Sequence, residues 1–179
     1  MIIAKQKREE NVAEYILYMW QLEDLMRAFN FDKSIIEREI IDHYKLDFAK
    51  KNEVVAWYND LLNAMFVEGI TKQGHLMHVK NIVQDLSSLN ISLLKDPNHS
   101  EYQKLFNDAI PAIHDIIQKS NGHIKNEIDA CFNALYGILL LRLQKKEISS
   151  DTSIAIQKIS LMLKYLCRIF HEQEKEFQE

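Results

Sequence analysis

Apolar residues recur at helical spacing along almost the whole chain, and the most continuous run extends from Ile128 to Leu143. At about 100° per residue, the side chains that share one face of this run are Ile128, Cys131, Phe132, Leu135, Leu139 and Leu143. A helix that is apolar on nearly all sides is normally surrounded by other helices. The pattern therefore predicts a central buried helix over about residues 124–147. Its residues Phe132, Leu135 and Leu139 should be nearly inaccessible, and Gly137 should lie close to a neighbouring element.

The other amphipathic segments predict helices over residues 4–29, 32–48, 52–69, 71–94, 97–119 and 149–171. Asn11 offers a second start within the first of these, because it has capping-box spacing to a glutamate. Helix-breaking residues are scarce, since the chain has four glycines and two prolines. Gly69 and Gly122 fall where helices should stop, and Pro97 falls where one should start. The sequence therefore predicts an all-α protein, a single-domain bundle of six or seven helices over residues 1–179.

Composition and charge exclude several classes of protein. A chain with 47% hydrophobic and 27% charged residues is expected to fold and not to be disordered. Its net charge of −4 provides no basic footprint for nucleic acid. The longest apolar run is too short and too interrupted for a membrane span, which needs roughly 20 mostly apolar residues. We therefore expect neither nucleic acid nor a membrane as a partner.

The cysteines and the first residues of the chain bear on the cellular compartment. Cys131 and Cys167 both lie in apolar helical surroundings, which is typical of reduced thiols in a protein core. The apolar start Met-Ile-Ile-Ala is far too short for a signal peptide. The sequence therefore predicts a cytoplasmic protein.

Three stretches have distinctive amino-acid sequences. They are IAKQKREENVAEYILYMWQLEDLMRA from Ile3 to Ala28, GHLMHVKNIVQDLSSLNISLL from Gly74 to Leu94, and EIDACFNALYGILLLRLQKKEIS from Glu127 to Ser149. Together they resemble an uncharacterised family of domain-of-unknown-function proteins from the Bacteroidetes, whose members have about the length of this chain. The resemblance covers the whole chain and implies an all-helical fold. It implies no activity, cofactor or catalytic residue.

A metal site is one alternative that the histidines raise. Seven histidines are distributed over several predicted helices, and facing helices of a bundle can supply ligands to one ion. His75 and His78 are three residues apart, and His43 and Asp47 are four apart, so each pair can share a helix face. The neighbouring residues form neither an HExxH nor a Glu-x-x-His pattern. We favour structural or surface histidines, and we expect neither a bound metal nor another cofactor.

Two further chemistries fit the sequence less well. The segment from Asn63 to Val79 resembles a helix-turn-helix, but His75 and His78 occupy the two positions where that motif needs apolar side chains. Neither cysteine has a basic neighbour that would stabilise a thiolate, and no Gly-rich phosphate loop is present. No catalytic residue is assigned, and the sequence leaves open whether the protein is an enzyme.

Polar groups that project toward the predicted core form the candidate site. Glu23 lies on the apolar stripe of the first helix, and Arg142 lies among apolar positions of the central helix. A buried carboxylate or guanidinium is costly unless it is paired, and arginine suits bidentate pairing. We therefore expect an ion pair of Glu23 and Arg142 inside the bundle, with Glu68 as the substitute acid and His75 as a neighbour. Such a pair either fixes helix register, which we favour, or marks a ligand site.

Large apolar side chains outside the main helical stripes indicate self-association. They are Tyr18 and Leu25 in the first helix, and Leu161 and Tyr165 in the last. Exposed together, such residues form the kind of patch that marks a protein–protein surface. We expect a non-catalytic cytoplasmic interaction or scaffold protein that forms a homodimer. The alternative is a small-molecule or metal-binding helical bundle, with or without enzyme activity, which an enclosed polar cavity would favour.

Overall fold

The computed structural model describes residues 2–124 and 126–176, and all the regular structure in these residues is helical. The all-α prediction is therefore confirmed. The eight α-helices of the described residues are α1 (Ile2–Glu10), α2 (Val12–Ala28), α3 (Lys33–Glu39), α4 (Phe48–Val67), α5 (Met77–Lys95), α6 (Ser100–Lys119), α7 (Glu127–Leu143) and α8 (Ser150–Glu176). Short 3-10 helices over Ile41–Tyr44 and Pro97–His99 precede α4 and α6. The predicted number of six or seven is slightly low, because the first predicted helix divides at Asn11 into α1 and α2.

The chain forms two compact units. The first unit consists of the described residues up to Glu10 together with Glu14–Asn81, and thus holds α1, most of α2, α3, α4 and the start of α5. The second unit consists of Asn11–Ala13 and the described residues from Ile82 onward, with the rest of α5 and α6, α7 and α8. That the whole chain is one domain stays a prediction.

Short polar side chains set the start of α2, which lies in the second unit, and the starts of α3 and α4 in the first unit. Asn11 interrupts the first predicted helix, and its side-chain oxygen accepts a hydrogen bond from the Ala13 amide at 3.0 Å. Asp32 caps α3 by accepting hydrogen bonds from the amides of Ser34 and Ile35, and Asp47 caps α4. These caps satisfy amide groups that have no partner inside the helix. The largest fully buried side chains of the first unit are those of Ile16, Met19, Met26, Ile36, Tyr58, Met65 and Leu76.

The C-terminus of α4 shows why Gly69 is a good stop signal. The Ile70 amide donates to the Met65 carbonyl at 3.0 Å, and the Gly69 amide donates to the Phe66 carbonyl at 3.1 Å. This pair of bonds is a Schellman arrangement, which needs a left-handed residue after the helix. Gly69 has a φ of +68°, a conformation that other residues adopt only with strain. The predicted end of the helix at Gly69 is confirmed.

The second unit is built around α6, which packs against both α7 and α8, while α7 also contacts α8. Its residues Tyr102, Ala109 and Ile113 are fully buried. The Tyr102 hydroxyl donates a hydrogen bond of 2.6 Å to the side-chain oxygen of Asn90 on α5. Since both groups are buried, this bond satisfies two polar atoms that would otherwise destabilise the core.

Helix α7 is buried at its start and exposed at its end. Ile128 and Phe132 are completely inaccessible, as the sequence predicts for Phe132. Leu143, in contrast, is 64% exposed. The helix is shorter than the predicted span of residues 124–147 at both ends.

Three detailed expectations for α7 are therefore wrong. Leu135 and Leu139 are only half-buried. Gly137 is exposed, and a Cβ atom built on it would meet nothing within 4 Å. Because apolar residues occupy most of the circumference of α7, their pattern does not show which of them lie against neighbouring helices.

Candidate functional site

The loop between α4 and α5, residues 68–76, is held by three long polar side chains, and we refer to it as the α4–α5 loop. The first of them is Glu23 of α2, which is fully buried. One of its carboxylate oxygens accepts a hydrogen bond from the Leu76 amide at 3.0 Å, and the other lies 2.6 Å from Nδ1 of His75. The buried carboxylate thus has a partner on each oxygen, as a buried charge requires.

The imidazole of His75 is fixed from two directions. Its Nδ1 atom binds Glu23, and its ring stacks on Trp20 with centroids 4.0 Å apart and an angle of 12° between the planes. A carboxylate bound to Nδ1 sets the orientation of a histidine ring and leaves Nε2 directed away from that carboxylate. His75 remains partly accessible, with 28% of its side chain exposed.

Arg27 and Glu68 hold the remainder of the loop. The guanidinium of Arg27 donates to the Ile70 carbonyl at 3.1 and 3.3 Å, and it also donates to the Gly74 carbonyl. A carboxylate oxygen of Glu68 accepts from the Met77 amide at 2.6 Å. The two acids, Glu23 and Glu68, thus lie at the N-terminus of α5, where a helix dipole favours negative charge. The arrangement gives the loop one fixed path.

The structure brings together some members of the predicted polar cluster. Glu23 and His75 are in contact, and the exposed Glu68, the first residue of the same loop, binds the Met77 amide next to the Leu76 amide that Glu23 binds. Arg142 is exposed in the last turn of α7, so the expectation of a buried guanidinium is wrong. The oxygens of Glu23 bind His75 and the Leu76 amide in place of the expected arginine. A non-local backbone amide was not among the partners that the sequence suggested.

A cleft of about 450 Å³ is the second feature of the first unit. It opens between α1, α2, α4 and the start of α5. Its lining residues are Ala4, Lys5, Arg8, Glu9, Tyr15, Met19, Trp57, Asp60, Leu61, Ala64, Leu76 and His78. A cleft of this volume is within the range that small-molecule sites occupy.

The polar part of the cleft is centred on Tyr15. Its hydroxyl lies 3.1 Å from Nε2 of His78. Burial raises the pKa of Tyr15, the nearby charge of Arg8 opposes that rise, and Glu23 adds to it. The hydroxyl is therefore protonated at neutral pH and available as a hydrogen-bond donor.

An apolar surface lies at the C-terminus of α4 and the start of α5, and we call it the apolar patch: the exposed Phe66, Val67 and Met77, with the half-buried Phe31 beside Phe66. The exposed fractions of Phe66, Val67 and Met77 are 55%, 87% and 53%. The ring of Phe66 lies 4.8 Å from that of Phe31. Met77 follows the α4–α5 loop directly, so the loop also positions this side chain.

The four residues that the sequence proposed for self-association divide into two classes. Leu25 and Leu161 are exposed. Tyr18 and Tyr165 are half-buried, and the hydroxyl of Tyr165 lies 3.2 Å from Nδ1 of His99. The apolar patch contains none of these four residues.

A family model described as a domain of unknown function (DUF4924) matches residues 1–177. The chain belongs to this family. Neither the curated proteins nor the solved structures contain a match to the chain. The affiliation with the Bacteroidetes stays a prediction from the resemblance of sequence, and the name of the family assigns no chemistry to the site.

The described residues of this family member contain no group of three or more histidine, cysteine or acidic side chains arranged to hold a metal ion. In the same part of the chain, no helix is both long enough and apolar enough to cross a membrane. Cys131 and Cys167 are free and buried. Burial raises the pKa of both thiols, that of Cys167 to about 12, so they are protonated at neutral pH.

Sequence reasoning missed two members of the loop arrangement, Trp20 and Arg27. A signal for them was present, because Trp20, Glu23 and Arg27 are spaced by three and four residues and so share one face of α2. Tyr15 and the cleft gave no such signal, since residues from four separate segments line it.

Proposed function

We propose that the protein is a non-catalytic interaction protein that forms a homodimer through the apolar patch. The observation that carries this proposal is the exposure of Phe66, Val67 and Met77 around the α4–α5 loop. Large apolar side chains exposed near one another are typical of protein–protein contacts. Burying one such side chain contributes about 1.5–3 kcal/mol.

The hydrogen bonds that hold the α4–α5 loop support a role in recognition. Glu23, Arg27 and Glu68 fix the path of the backbone between α4 and α5. A surface that is already ordered loses less conformational entropy when it binds. The side chains that hold the α4–α5 loop therefore favour association at the apolar patch, whose residues Val67 and Met77 flank that loop.

A second copy of the chain is the partner that we propose. The α4–α5 loop connects Val67 to Met77 and carries exposed charges of both signs, Glu68 and Lys72, which we take as the charged border of the apolar patch. In a dimer with two-fold symmetry the same surface meets itself, so a border with both signs permits complementary pairs. A uniformly acidic or basic border would instead repel a second copy.

The experiment compares Val67→Lys with Ile154→Lys. Val67 belongs to the apolar patch, whereas Ile154 is an exposed apolar residue of α8 in the second unit, so the pair controls for added charge. Sedimentation equilibrium at micromolar concentration should show a wild-type dimer, a monomeric Val67→Lys variant and a dimeric Ile154→Lys variant. A monomeric wild type, or dissociation only in Ile154→Lys, would overturn the proposal.

We also propose that the protein acts in the cytoplasm. Cys131 and Cys167 are both free thiols in the second unit, and free thiols persist in reducing compartments. Fractionation of cells that express the full chain with a C-terminal tag would test the location, with recovery outside the cytoplasmic fraction as the contrary result.

Small-molecule binding is the second candidate function, and the cleft of the first unit favours it. Its walls combine apolar side chains with a few polar groups, as ligand sites commonly do. This function is compatible with self-association, because the residues of the apolar patch do not line the cleft.

A further inference from the structure

We propose that the cleft of the first unit binds a small organic monoanion, a carboxylate that carries an apolar body. This inference does not depend on the homodimer. It rests on the way in which the cleft separates an apolar wall from a cluster of hydrogen-bonding and cationic groups.

The apolar wall is formed by three side chains of α4, beside which Asp60 of the same helix also lines the cleft. Trp57, Leu61 and Ala64 are spaced by four and three residues and all line the cleft. On α2, Met19 lies one turn after Tyr15 and extends the apolar surface. An alkyl chain or a ring that packs against such a wall is removed from water, and each buried CH₂ group contributes about 0.8 kcal/mol to binding. This wall accounts for the apolar body of the ligand.

Hydrogen-bonding and charged groups of the cleft lie around Tyr15. The hydroxyl of Tyr15 and Nε2 of His78 are 3.1 Å apart, and the charges of Arg8 and Glu23 both act on that hydroxyl, with the effect of Arg8 the larger. A guanidinium and a phenol hydroxyl are both donors, and a carboxylate accepts such bonds with two oxygens. These groups account for the anionic end of the ligand.

The charges that line the cleft disfavour a second negative charge on the ligand. Lys5 and Arg8 are balanced by Glu9 and Asp60, and Lys5 lies 3.8 Å from Glu9. A dianion such as a phosphate monoester would be repelled by Glu9 and Asp60 more strongly than a monoanion, because the lining cations Lys5 and Arg8 do not outnumber these two carboxylates. An ammonium ligand with its charge near Tyr15 would lie beside the positive charge of Arg8 and would be repelled by it. A monoanion whose carboxylate faces Arg8 and whose body lies along the Trp57 wall avoids both conflicts.

The test uses four probes with the same alkyl chain: octanoate, octyl phosphate, octylamine and 1-octanol. Isothermal titration of the wild-type protein should give saturable binding of octanoate that is roughly tenfold tighter than that of 1-octanol, the gain expected from one charge-assisted contact. Octyl phosphate and octylamine should bind more weakly than octanoate. Absence of saturable octanoate binding, or tighter binding of either charged competitor, would overturn the proposal.

Two variants then locate the site. Arg8→Gln should weaken octanoate roughly tenfold and leave 1-octanol unchanged, while the control Arg38→Gln, an exposed arginine outside the cleft, should change neither. Ala64→Leu fills the apolar wall and should weaken both ligands. Equal effects of Arg8→Gln and Arg38→Gln would overturn the assignment. If Arg8→Gln loses helicity, the response to Ala64→Leu decides, and unchanged octanoate binding in that variant contradicts the proposal.

Discussion

Glu23 and Leu143 reverse the usual relation between polarity and burial. Glu23 is a carboxylate and is completely inaccessible, whereas Leu143, at the end of the most apolar run, is 64% exposed. The two side chains differ in the groups that surround them. Each oxygen of Glu23 has a hydrogen-bond donor, while Leu143 belongs to the final turn of α7, where neighbouring side chains are also exposed. Burial is thus decided by what surrounds a position, and polarity sets only the cost of leaving a group unpaired.

The largest effect should come from the buried start of α7. Phe132→Ala should lower the free energy of unfolding by about 3–5 kcal/mol, because it leaves a cavity at a completely inaccessible position. Leu143→Ala, in the same helix, should lower it by less than about 0.5 kcal/mol. Urea denaturation followed by circular dichroism measures both values. Similar losses for the two variants would show that the end of α7 is covered in solution.

Removal of the buried carboxylate should have the next largest effect. Glu23→Ala leaves the Leu76 amide and His75 without their acceptor and should lower the free energy of unfolding by about 3 kcal/mol. Glu9→Ala, which changes an exposed carboxylate of the same unit, should remain within about 0.5 kcal/mol of the wild type. A Glu23→Ala protein as stable as Glu9→Ala would contradict the role of Glu23 as an anchor.

Loss of the Arg27 guanidinium should affect the local stability of the α4–α5 loop more than the stability of the whole fold. Arg27→Met keeps the aliphatic stem but removes the donors to the carbonyls of Ile70 and Gly74, and should lower the free energy of unfolding by about 1–2 kcal/mol. Hydrogen exchange measured by mass spectrometry should become faster in residues 70–76. Arg38→Met is the matched control. Unchanged exchange in that segment would show that Glu23 and Glu68 hold the loop without Arg27.

The smallest effect should be the contribution of the buried thiols to the loss of folding stability as the pH rises above about 8. Burial raises the pKa of Cys167 to about 12, so the folded protein keeps a proton that the unfolded chain releases above its ordinary thiol pKa. The stabilisation is complete below the unfolded pKa and is lost as the pH rises toward the folded value. Between about pH 8 and about pH 9.5, Cys167→Ala should lose about 1 kcal/mol less stability than the wild type. Parallel pH profiles of the two proteins would contradict this account.

The candidate site could be predicted from the sequence only in part. The position of Glu23 on the apolar stripe of α2 indicates a carboxylate that projects inward, and the structure places His75 beside it. The sequence predicts Arg142 as the partner because a helical wheel compares side chains only, whereas the structure supplies a backbone amide. The Leu76 amide became available to Glu23 because α5 begins at Met77 and not at residue 71.

Local signals determined the helical class of this protein and several of its helix ends. Asn11 and Asp32 act on amides two or three residues away, and Gly69 adopts its left-handed conformation within its own turn, so these features depend on neighbours in the sequence. Only the tertiary structure decided which side of α7 is covered, which donors meet Glu23, and that α1, α2, α4 and the start of α5 leave a cleft. Those outcomes depend on contacts between residues far apart in the chain, where periodicity shows that a side chain is apolar or charged but not what it meets.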